Sequence, residues 1–163
     1  APFYEQINKN ESILQEEAFI VLTSEDKTFC RKNEVYDISD EQSVDKLVRL
    51  FDDREISINY KEEERNIEKD PAEMLRFFLL YTDINNAAYK NDFSEIIPVS
   101  QKTGEINSNT FRKRVSRLNT TLKNIGIQEE IIESKRNETG YYYNGSIPFA
   151  IIYRSDESFL LNK

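Results

Sequence analysis

The sequence predicts an α+β fold, and three observations carry that expectation. Apolar, β-branched runs at residues 18–23 (AFIVLT) and 147–153 (IPFAIIY) have the length and composition of buried strands. Phe111, Val115, Leu118, Leu122 and Ile125 recur at spacings of four, three, four and three, which makes one apolar helical stripe. Residues 131–134 and 141–144 are short strand-like runs on either side of 135–140, a polar tip holding Lys135, Arg136 and Gly140.

Taken in order, residues 3–17 read as an irregular or helical lead-in with Tyr4, Ile7, Ile13 and Leu14 as anchors. The strand at 18–23 turns through Glu25, Asp26 and Lys27 into a return strand at 28–31. Residues 34–38 (EVYDI) alternate as a further strand would, completing a small N-terminal antiparallel sheet. Ser39 or Asp40 then caps an expected helix whose stripe is Val44, Leu47, Val48 and Phe51. Residues 55–60 (EISINY) alternate strictly, and 65–67 are their hairpin partner across 61–64. Asp70-Pro71 opens a helix over 71–81, buried through Met74, Leu75, Phe78 and Leu79. A shorter helix is expected at 87–97, ending before Pro98, with a loop at 99–105.

The stretch 107–126 is the feature the rest is arranged to present. Lys113, Ser116, Arg117, Thr120 and Asn124 lie opposite the apolar stripe at about 100° per residue. Asn109 or Ser108 suits the amino-terminal cap, and Gly126 the carboxy-terminal one. Between Ile106 and Ile127 stand five basic residues and no acidic one, in a chain of net charge −8. A solvated basic face is the plain reading; a helix lying against nucleic acid is the sharper one. Helix, helix, basic helix and hairpin, behind a small sheet, is the order of a winged helix-turn-helix, in which the third helix enters the major groove and the hairpin is the wing.

Composition limits the alternatives. Nineteen Phe and Tyr side chains among 163 residues supply a core, and four Gly and four Pro leave no room for linkers. There is no His, and Cys30 stands alone, so a disulfide framework, the usual zinc ligands and His-based catalysis are excluded. No catalytic residue, metal site or cofactor is expected. The Glu62-Glu63-Glu64 run reads as a solvated turn, since no calcium-loop pattern surrounds it. No apolar run approaches the ~20 residues of a membrane span, so a soluble, cytoplasmic protein is expected. The chain opens Ala1-Pro2 without a Met, as a processed chain or a piece of a longer one would. Residues 1–100 carry a net charge of −11 and residues 101–163 one of +3, which points to two surfaces with different partners.

Residues 55–144 resemble the effector domain of the OmpR/PhoB-type response regulators. EISINYKEEERNIEKDPAEMLRFFLLY is similar to that family's strand–turn–strand and first helix, with Asp70-Pro71-Ala72-Glu73-Met74 at the helix opening. NTFRKRVSRLNTTL resembles its recognition-helix signature through Thr110, Val115, Arg117, Leu118 and Leu122. Arg136 and Gly140-Tyr141 match the wing, although the tip is one residue longer and Asn137 replaces its first Gly. The resemblance implies double-stranded DNA as partner, and contact between the 82–100 loop and RNA polymerase.

The expected organisation is an N-terminal α/β segment, 1–53, that packs on or extends the winged helix as a dimer or partner surface, followed by a DNA-binding domain, 54–163. The expected DNA-binding residues are Asn109, Thr110, Arg112, Lys113, Ser116, Arg117, Thr120 and Lys123 on the helix, and Lys135 and Arg136 on the wing. Arg suits guanine O6/N7 or phosphate, Asn109 suits adenine, and Ser116 and Thr120 suit short polar contacts. Tyr141 and Tyr143 are expected in the core rather than under bases. Two copies on repeated half-sites, as a homodimer would provide, supply the affinity that one helix lacks. Two other roles fit the same sequence: a winged-helix protein–protein module of a larger signalling or phage assembly, and a plasmid or phage replication initiator.

Overall fold

A computed structural model of the chain describes residues 19–23, 27–30, 48–52, 56–61 and 63–154. The fold is α+β. Strands β1 (Phe19–Thr23), β2 (Lys27–Cys30), β3 (Val48–Asp52), β4 (Ser57–Tyr60) and β5 (Glu63–Asn66) precede helix α1 (Lys69–Tyr81). A 3-10 turn (Lys90–Phe93), helix α2 (Ser108–Ile125), the hairpin β6 (Ile132–Ser134) and β7 (Tyr141–Tyr143), and β8 (Phe149–Arg154) follow.

Six strands form one sheet in the order β2-β1-β8-β3-β4-β5, while β6 and β7 pair separately. The expected small antiparallel sheet is therefore corrected. β8 lies between β1 and β3, antiparallel to the first and parallel to the second, so this is a mixed sheet with a C-terminal strand inside it. The composition of β8 explains its place. Phe149, Ala150 and Ile151 are buried, and a nearly continuous apolar strand needs cover on both faces and both edges. β5, at the sheet's edge, is EERN and exposed throughout, the charged composition that keeps an edge from pairing with other chains.

Two expected helices are corrected. Val48 to Phe51 belong to a strand, since Val48–Asp52 pairs with β4 and β8; residues 41–47 lie outside the described residues. Five residues containing Val, Leu and Phe suit either state, and the neighbouring strands decide. At 87–97, only the 3-10 turn is helical. Asp92 accepts a hydrogen bond from the Tyr89 N–H at 2.8 Å as part of a capping box that starts the turn at Lys90 rather than at Ala87, and Pro98 stops any continuation. The expected lead-in at 3–17 and strand at 34–38 lie outside the described residues.

Other boundaries move slightly. α1 begins at Lys69, so Pro71 sits third in its first turn, where its missing N–H costs nothing. Asn107, not Ser108 or Asn109, caps α2: its Oδ1 accepts from the Asn109 N–H at 2.9 Å and the Thr110 N–H at 3.2 Å. Gly126 ends α2 as expected. Its φ is +112°, and Gly126 N and Ile127 N donate to the carbonyls of Lys123 and Leu122 in a Schellman arrangement.

The two helices meet through aromatic rings. Phe93, 1% exposed, stands with its ring centroid 4.9 Å from Phe77, 5.2 Å from Phe78 and 5.4 Å from Phe111. Phe111 continues the chain of rings to Tyr141 at 5.6 Å, which is half-buried against the core, while Tyr143 is buried as expected. Burial pushes the Tyr143 hydroxyl up to about 12, and that hydroxyl donates to the Ile147 carbonyl.

The hairpin is stitched to the segment after α1. Ala88 and Tyr141 exchange two backbone hydrogen bonds of 2.8 and 2.9 Å, and Thr82 Oγ1 accepts from the Tyr143 N–H at 2.9 Å. Gly140 permits this approach, because a Cβ there would stand 2.8 Å from Tyr89 Cε1 and 3.0 Å from the Ala88 carbonyl oxygen. Gly140→Ala is expected to cost about 1–3 kcal/mol by overpacking against that backbone. Urea unfolding checks this, and an unchanged midpoint would count against the close approach.

Candidate nucleic-acid interface

α2 turns Phe111, Val115, Leu118, Leu122 and Ile125 into the core, which dictates what its other side presents. Asn109, Thr110, Arg112, Lys113, Ser116, Arg117, Thr120 and Lys123 are all exposed, and they share one face at helical spacing. Of the five basic residues, Arg114 is set apart. It is half-buried beside α1, with Nη1 3.5 Å from the Asp70 carboxylate. Four exposed cations therefore remain on a face with no carboxylate of its own.

Local bonds organise this face. Arg112 Nη2 donates to Asn109 Oδ1, and Thr120 Oγ1 donates to the Ser116 carbonyl at 3.1 Å. Lys90 Nζ reaches Glu105 and Ser108 Oγ, both at 3.3 Å, and so braces the start of α2 against the 3-10 turn. On one flank an open groove of about 500 Å³ separates Ser116, Arg117 and Thr120 from Ile67, Glu68 and Pro71. On the other, the buried Asn119 donates to the Ile132 carbonyl at 3.1 Å and to Glu130 at 3.3 Å, tying α2 to the hairpin. No family model, curated protein or solved structure matches the chain.

The two hairpin residues differ. Arg136 is exposed, whereas Lys135 is half-buried and gives its ammonium to the Ile84 carbonyl at 3.0 Å. Asn137 adopts φ +65° at the tip, a left-handed conformation that Asn tolerates in place of Gly. Beside it, Tyr89 donates its hydroxyl to Glu138, and that bond raises the hydroxyl's pKa above its ordinary value.

Asn119, Thr82 and Tyr89 are positioning residues that pattern reading passes over. Asn119 carried a signal, as a polar residue directly after Leu118 on the edge of the apolar stripe. Thr82 and Tyr89 carried none, because their partners are 61 and 49 residues away. Among the described residues, no group of three or more acidic or cysteine side chains is placed to hold a metal, and no helix is long and apolar enough to cross a membrane.

Proposed function

We propose that the protein is a sequence-specific double-stranded DNA-binding protein of the winged-helix kind, acting without catalysis as a transcriptional regulator. The observation that carries this reading is the exposed face of α2, where Arg112, Lys113, Arg117 and Lys123 stand with short polar side chains and no carboxylate. In a major groove the arginines read guanine edges or grip phosphates, and the lysines neutralise phosphates. The β6–β7 hairpin serves as the wing, with Arg136 the residue that reaches the backbone or the minor groove. Lys135 contributes less, being committed to the Ile84 carbonyl. The 3-10 turn braced by Lys90 does the work of a second helix in holding α2. A net charge of −8 disfavours non-specific binding and concentrates attraction at this one face.

Selection of bound duplexes from a randomised pool tests this reading. A recurring motif of a few base pairs, present twice where two copies bind, is the expected result. A pool that stays random overturns it.

A second reading has its own observation. Tyr81 and Ile84 are 61% and 63% exposed, at the end of α1 and just beyond it, where a contact with another protein would bury them. On this reading the fold is a protein–protein module, and in the DNA-binding reading the same segment is where a partner such as RNA polymerase would touch.

A further inference from the structure

Asn109 has a different task from the adenine contact its residue type invites. Capping of α2 belongs to Asn107, whose Oδ1 takes both the Asn109 and Thr110 N–H groups. The Asn109 side chain is thereby left to the exposed face, where its carbonyl oxygen accepts from Arg112 Nη2, one helical turn on. Adenine reading by Asn is bidentate: the amide oxygen takes the base's amino group while the amide nitrogen donates to N7. Here the guanidinium already occupies that oxygen, so a bidentate approach would have to displace it.

We infer that Asn109 is a positioning residue that holds the Arg112 guanidinium for a guanine, and that Arg112, not Asn109, makes the base contact at this end of the helix. The inference rests on the DNA-binding reading and names its specificity determinant. Of the five N–H donors on an Arg head group, one goes to Asn109 and four remain, enough for the paired contact to guanine O6 and N7. A long Arg side chain loses rotamer freedom when it binds, and an internal bond formed beforehand removes part of that loss from the binding step. Among the described residues, Arg112 is the only exposed cation of this face whose head group is held by a neighbouring side chain of the same face. Arg117, Lys113 and Lys123 suit phosphates, where a fixed direction matters less.

The test compares sequences selected from a randomised duplex pool by the wild-type protein and by Arg112→Ala, Asn109→Ala and Asn109→Asp. Arg112→Ala locates the dependent base position. At that position the wild type should enrich guanine, and Asn109→Ala should weaken the preference about fivefold, since a misplaced bidentate contact loses most of its discrimination. Binding to mixed-sequence duplex should keep its salt dependence, because no charge has been removed. Asn109→Asp, whose carboxylate also accepts from a guanidinium, should retain the guanine preference while binding all duplexes more weakly. An unchanged guanine preference in Asn109→Ala, or loss of an adenine instead, overturns the inference and leaves the DNA-binding reading intact. Failure of the wild type to enrich any sequence removes both.

Discussion

Replacing Arg112, Lys113 and Arg117 together with Ala is expected to lower affinity for duplex DNA roughly 500-fold at about 0.1 M salt. Lys113 and Arg117, on phosphates, each contribute about 0.9 to the slope of log affinity against log salt, roughly 1.8 decades between 0.1 M and 1 M, and the guanine contact of Arg112, at about 1.2 kcal/mol, adds roughly a further eightfold on the selected sequence. The slope itself should fall by about 1.8, the share of the two phosphate contacts. All three side chains are exposed, so stability should stay within about 0.5 kcal/mol of wild type and the loss cannot be ascribed to unfolding. Arg114→Ala is the internal control. It removes a charge of the same sign from the same helix, but one turned toward α1 and paired with Asp70. Less than about a threefold change is expected from it, because a partnered charge off the binding face adds only a screened, long-range attraction. Fluorescence anisotropy of a labelled duplex across a salt series reads all of these. A loss from Arg114→Ala as large as a third of the triple variant's in log affinity would show that net charge alone, not this face, governs binding.

Phe93→Ala is expected to cost about 3–5 kcal/mol, since a fully buried ring leaves a cavity its neighbours cannot fill. Against a typical domain stability of about 5–15 kcal/mol, such a loss takes a large share of the whole. The neighbours make the position special. Phe77 and Phe78 come from α1 and Phe111 from the first turn of α2, so Phe93 is the ring through which the two helices meet. DNA affinity should therefore fall as well, although Phe93 is 1% exposed and touches no ligand. Urea unfolding checks the stability, and a loss under about 1 kcal/mol would contradict the packing described.

α2 was legible because a stripe at helical spacing and a terminal Gly coincide in it, although its cap is Asn107 rather than Ser108 or Asn109. α1 and the β6–β7 hairpin were legible for similar reasons. What escaped depends on distant parts of the chain. Val48–Asp52 reads as a helix end until β8 and β4 lie beside it, and β8 joins the sheet across a gap of about a hundred residues. The 3-10 turn escaped because Ala87 and Ala88 favour a helix, whereas the backbone bonds that hold Ala88 extended come from Tyr141, far along the chain. On the candidate face, all eight helical positions named from the sequence are exposed, but their partnerships were not readable. Spacing puts Asn109 and Arg112 on one face; only atomic positions show that one holds the other. Lys135 likewise reads as a free cation until the Ile84 carbonyl is found beside it.

The most direct measurement is a map of amide proton–nitrogen chemical shifts as duplex DNA is added to the labelled protein. Binding through the face described here predicts that the largest changes fall on residues 107–124, with a second, smaller set at 136–140 around the hairpin tip. Spectra that do not move, or changes confined to residues 81–89 around Tyr81 and Ile84, would contradict it.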